Sequence, residues 1–178
     1  MRGQSLLLLV GVSTLLVGSA TAQKEQRQPL TETQIEQIRE AGIDPDERVK
    51  LYAKFLQEHV DSIKGLIPRI HSGARTRRMD DELQDLTALM DELGSNLDQY
   101  GERKADLRKS LKSLSESTPH WLDILHELPS EPGFELSQKE ALDSGKDLAD
   151  EVAQMLKEQT DYFALHKDEK GQDRAEPK

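Results

Sequence analysis

Residues 79–114 read MDDELQDLTALMDELGSNLDQYGERKADLRKSLKSL, and their apolar members recur at alternating spacings of four and three. Met79, Leu83, Leu86, Met90, Leu93, Leu97, Tyr100, Lys104, Leu107, Leu111 and Leu114 form a heptad seam in which Lys104 alone is not apolar. Side chains so spaced fall on one stripe of an α-helix, so the stretch predicts a single long helix from about Arg77 to Ser115. Its seam would run ~54 Å at a rise of about 1.5 Å per residue. Acids dominate the first part, from Asp80 to Asp98, and bases the second, from Arg103 to Lys112. Both ends therefore suit the helix dipole. Gly94 and Gly101 stand seven apart beside the seam, where they either weaken the helix or let a neighbour approach closely. Lys104 either sets register or snorkels to the edge of the bundle.

On the amino-terminal side, Thr31 and Gln34 have the spacing of a capping box, with Leu30 and Ile35 as its hydrophobic staple, and Gly42 supplies the stop. Asp44-Pro45 then caps a second helix whose apolar residues, Val49, Tyr52, Leu56, Val60 and Ile63 among them, make a broad buried face. Gly65 and Pro68 predict a kink near its end, before Ser72-Gly73 breaks the chain. On the carboxy-terminal side, Thr118-Pro119 restarts a short helix through Leu128. A second capping box, Ser137 to Glu140 with Leu136 and Ala141 as staple, opens the last one.

Residues 32–72, 77–115 and 119–165 thus make three arms of similar reach. The fold expected is all-α, an elongated antiparallel three-helix bundle with two additional short helices. The short connection at 72–76 makes its second and third helices antiparallel neighbours. Charge suggests the register, with the acidic start of the third helix beside Lys64, Arg69 and Arg75 and its basic end beside Glu140, Asp143 and Asp147.

The first 22 residues have the three parts of a secretory signal: a basic start at Arg2, an apolar run from Leu6 to Val17, and small residues Ala20 and Ala22 before the cleavage point. That run falls short of the ~20 residues that span a bilayer, so no stable membrane anchor is expected after cleavage. The expected organisation is a signal peptide at 1–22, a polar lead-in at 23–30, the helical domain at 31–166 and a disordered polar tail at 167–178. Periplasmic or secreted localisation follows. With no cysteine in the chain, lipid attachment at the cleavage site, disulfides, thiolate metal sites and thiol catalysis are excluded. A net charge of −10 disfavours nucleic acid as a partner.

No glycine-rich phosphate loop, G-x-S-x-G elbow or H-E-x-x-H pair occurs, and none of the five histidines has a glutamate three residues before it. No cofactor is expected. His120, Asp123 and Glu127 fall at i, i+3 and i+7, one face of a helix, and are the weak candidates for a divalent metal; the plainer reading is a polar outer face. Arg69, Arg75, Arg77 and Arg78 gather positive charge at one tip, either to contact an anion or acidic partner or as a solvated turn before an acidic helix.

These features predict an exported, non-enzymatic helical-bundle protein with a binding, scaffolding or chaperone-like role. Its partner would be another protein or a second copy, met through helix surfaces, unless the heptad seam packs wholly within its own chain. The alternative is a metal- or small-ligand-binding bundle that uses the His120 region. A third is an exported hydrolase or effector whose site carries no known motif.

Overall fold

A computed structural model of the chain describes residues 28–69 and 71–167. The expected export signal, most of the polar lead-in and all but the first residue of the tail lie outside the described residues. Five helices follow in order: α1 (Glu32–Glu40), α2 (Pro45–Leu66), α3 (Gly73–Glu102), α4 (Arg108–His126) and α5 (Glu135–Leu165). Every regular element among the described residues is helical, as the periodicity requires.

The local grammar holds where a helix begins with its own cap. Thr31 and Gln34 make the reciprocal capping box of α1, and Gly42 turns the chain at φ 64°. Asp44 accepts the amide N–H groups of Asp46 and Glu47 ahead of Pro45 in α2, and Ser72 accepts that of Arg75 in α3. Helix α2 ends at Leu66, ahead of Pro68.

The expected single helix over 77–115 is two helices. α3 stops at Glu102, and the N–H groups of Lys104 and Ala105 return to the carbonyls of Gly101 and Tyr100 in a Schellman motif. Lys104 occupies the left-handed position at φ 57°, which glycine usually fills. The polar residue in the seam is therefore a helix stop, neither a register device nor a snorkelling core residue. The ten apolar members of the seam are buried nonetheless, from Met79 on α3 to Leu114 on α4.

Further boundaries differ from expectation, among them the start of α3 at Gly73 instead of about Arg77. Pro119 lies inside α4, and Thr118 donates its hydroxyl to the Leu114 carbonyl 2.7 Å away, within the helix it was expected to start. Helix α5 begins at Glu135, so Ser137 is not its cap. Its hydroxyl donates to Asp80 of α3 instead, and Leu136, the expected staple, is exposed.

Cross-helix bonds give the directions. Tyr52 with Glu92 and His59 with Glu82 make α2 and α3 antiparallel, as a short connection implies, but that connection lies between Leu66 and Gly73 and not at 72–76, because Ser72 caps α3 and Gly73 opens it. Asp46 with Ser110 and Gln57 with Trp121 make α2 and α4 parallel. Ser137 with Asp80 and Ser144 with Asp91 make α3 and α5 parallel, whereas Gln138 with Leu125 and Gln159 with Leu107 make α4 and α5 antiparallel. α2 and α5 each pack against both α3 and α4, while α1 rests on α2. Four long helices, rather than three arms, thus close around the core. Because the chain reverses at 103–107, the basic segment meets the far end of α5, near Gln159, and not Glu140 to Asp147.

The reversal leaves helix ends inside the bundle, and neighbouring helices supply the missing partners. Asp46 of α2 accepts the Ser110 amide at the start of α4, at 3.2 Å. Gln138 of α5 donates to the Leu125 and Leu128 carbonyls at its end, at 3.0 and 3.3 Å. The N-cap residues of α4 and α5, Leu107 and Phe134, offer no side-chain cap, and only Asp106 Oδ1, 3.4 Å from the Arg108 amide, serves the start of α4 from its own segment.

Candidate functional site

His120 and Asp123 share one face of α4, Glu127 follows as its C-cap residue, and all three are exposed. They form one wall of an open groove of about 480 Å³, whose other lining residues are Lys64, Ile67, Pro68 and Ile124. Termination of α2 at Leu66 opens this groove. Beyond that point the chain leaves the helix path, and Ile67 and Pro68 lie across from the last two turns of α4. Its apolar surface comes from isoleucine and proline, and its charges are of both signs. Among the described residues, no group of three or more histidine, aspartate or glutamate side chains is arranged to hold a metal ion. The trio shares the groove without converging on one point.

The four arginines of the basic tip do separate things. Arg75 is buried, with its side chain 3% exposed; its Nε donates to the Leu66 carbonyl at 2.9 Å and its Nη1 to Glu131 at 2.7 Å. It therefore caps the end of α2 from the first turn of α3 and holds the loop between α4 and α5. Glu131 also accepts from the Thr76 hydroxyl at 2.8 Å, and His71 Nδ1 lies 3.1 Å away. The Thr76 hydrogen bond foremost, and then the Arg75 guanidinium, hold the Glu131 carboxyl below its ordinary range. Gly133 lets this loop lie against α3: its φ is 111°, and a Cβ there would stand 2.6 Å from Thr76 Cγ2.

Arg69 and Arg77 instead donate to carbonyls of their own segments, Gly65 and Gly73, and Arg78 stands 3.9 Å from Glu82. So the tip is not a patch of four free cations, and Arg75 is not available to a partner. The sequence reading of all four as one surface cluster is corrected for that residue. Sequence spacing carries no sign of this, because Glu131 lies 56 positions away.

One polar pair has no counterpart in the sequence reading. His59 of α2 and Glu82 of α3 lie 3.0 Å apart, and both side chains are largely buried. The pair joins two helices across their interface.

No helix among the described residues is long and apolar enough to cross a membrane. In comparisons with known proteins, the chain matches no family model, no curated protein and no solved structure at a significant level.

Proposed function

We propose that the protein is an exported, non-enzymatic helical bundle that binds another protein through its helix surfaces, in a scaffolding or chaperone-like role. The observation that carries this reading is the groove between the end of α2 and α4. It is open, it mixes Ile67, Pro68 and Ile124 with Lys64, Asp123 and Glu127, and it lies where two helix ends meet the surface. A small ligand is better held by an enclosed apolar pocket with a few convergent polar groups, whereas an open groove with an apolar floor and a charged rim suits a polypeptide. The polar side chains at the helix ends point the same way, since buried Arg75 and Gln159 and half-buried Gln138 are engaged in holding those ends. Export rests on the signal at 1–22, and amino-terminal sequencing of the mature protein should begin at Gln23.

The second reading, a metal- or small-ligand-binding bundle, draws on the presence of His120, Asp123 and Glu127 in that same groove. One experiment separates the two. A photo-crosslinking residue is placed at Asp123, or at exposed Asp150 on α5 as a control, and the exported protein is irradiated in its own compartment. Zinc titration of the purified chain by calorimetry accompanies it. Protein binding predicts a discrete adduct from position 123 alone and zinc affinity no better than millimolar. Stoichiometric micromolar zinc binding abolished by His120→Ala, with no adduct, would replace the leading reading by the second.

A further inference from the structure

Glu151, in the middle of α5, faces the stretch of α3 from Gly94 to Asp98. A Cβ on Gly94 would lie 3.0 Å from its Oε2, so the glycine makes the space that the carboxyl fills. Its Oε1 is buried without a hydrogen-bond partner, the costly condition for a charged oxygen and a tolerable one for a protonated carboxyl. The nearby charge is of the same sign, that of Asp98 one turn along α3.

We propose that this contact is a proton-operated joint between α3 and α5, closed while Glu151 is protonated and loosened when it is charged. Ionisation would place a second negative charge beside Asp98 and strand a charged oxygen between two helices. The side chain then has reason to swing outward, leaving the space beneath Gly94 unfilled. Among the described residues, no cation offsets this. Asp91, a turn earlier on α3, is engaged by the Ser144 hydroxyl. On α5 the adjacent ionisable groups are Asp147 and Asp150, both exposed acids, with Lys157 exposed further along. α4 at this level carries Lys112 and Glu116, both exposed, and α2 does not pack on α5.

Burial first, and then Asp98, push the Glu151 carboxyl from its ordinary 4.5 up to about 7. A raised value means that the folded chain holds a proton which the unfolded chain releases. The stability this contributes is complete below about pH 4.5 and declines as the pH rises to about 7. The joint therefore works across the range near neutrality. The inference concerns α3 and α5 and stands or falls independently of what occupies the groove.

The test compares thermal unfolding of the full chain with that of Glu151→Gln and Gly94→Ala between pH 5 and 8, alongside a carboxyl-carbon NMR titration of the wild type. Glutamine keeps the shape and cannot ionise, so its melting temperature should gain several degrees on the wild type as the pH rises. Gly94→Ala should displace the carboxyl towards water, lower its titration midpoint towards 4.5 and flatten the pH dependence, although alanine itself favours the helix. A Glu151 midpoint near 4.5 in the wild type would overturn the proposal. So would a constant offset between the wild-type and glutamine curves across the range. The NMR arm decides the matter even where a variant fails to fold.

Discussion

The carboxamide of Gln159 on α5 accepts the amide N–H of Leu107 through Oε1 at 2.8 Å, while its Nε2 donates to the Ala105 carbonyl at 3.0 Å. One buried side chain thus serves both a donor and an acceptor of the turn that reverses the chain between α3 and α4. Arg108, at the start of α4, lies over the Phe163 ring at 4.7 Å, and Lys104 over that of Tyr162 at 4.9 Å. The turn is held by the last third of α5, which lies more than fifty positions away in sequence.

Replacing Gln159 with leucine keeps most of the volume and leaves the Leu107 N–H and Ala105 carbonyl unpaired in a buried setting. We expect the variant to lose about 2–3 kcal/mol of unfolding free energy, measured by urea denaturation. A loss under 0.5 kcal/mol on the same scale would mean that water replaces the carboxamide at the turn.

Lys104 adopts a left-handed conformation that penalises a side chain by roughly 1–2 kcal/mol. Glycine should therefore stabilise the protein at this position by about 0.5–1 kcal/mol, the gain being reduced by loss of the cation–π contact with Tyr162. Leucine removes that contact and keeps the strain, so Lys104→Leu should be slightly less stable than the wild type. In a continuous helix the order would be reversed, with leucine above glycine.

Glu131 should make the protein acid-sensitive. Its carboxyl is held below the ordinary 4.5 by Thr76 and Arg75, so the stability it contributes is present above that pH and disappears as the pH falls through the folded value. The sign is opposite to that of Glu151. Glu131→Gln should lower the melting temperature at pH 7 and converge with the wild type as both are acidified through the lowered folded value of the carboxyl. Parallel curves down to pH 3 would show that the pair with Arg75 contributes no pH-linked stability.

Leu93 and Leu97 are completely buried on α3, where α2 and α5 both pack. Alanine at either position should cost about 2–5 kcal/mol in denaturant unfolding, the spread reflecting how far the site collapses. Sedimentation at several concentrations should show one species for the wild type. A melting temperature that climbs with concentration would place part of the helix surface against a second copy.

Which side chains lie in the core could be read before any fold was known. Every apolar residue of the 79–114 seam is buried, because burial follows from local periodicity, and a spacing of three and four marks one stripe on whatever helix carries it. The caps of α1 and α2 were equally legible, since cap and helix are neighbours in the chain. Gly94 and Gly101 were visible as a question, and the tertiary neighbours Glu151 and Met155 answer it in favour of close approach.

The path of the chain was not legible in the same way. Leu107 stands seven positions after Tyr100 whether the helix continues or reverses, so the heptad survives the turn and conceals it. The one local sign was Lys104, polar in an apolar seam, and its left-handed geometry is affordable only because Gln159 and the aromatic end of α5 hold the turn. The same holds for Arg75, whose carbonyl and carboxylate partners come from α2 and from the loop ahead of α5. Periodicity reports which side chains leave water, a property of each short segment. Direction depends on which distant groups satisfy a helix end once it is buried, and those contacts exist only after the helices have packed.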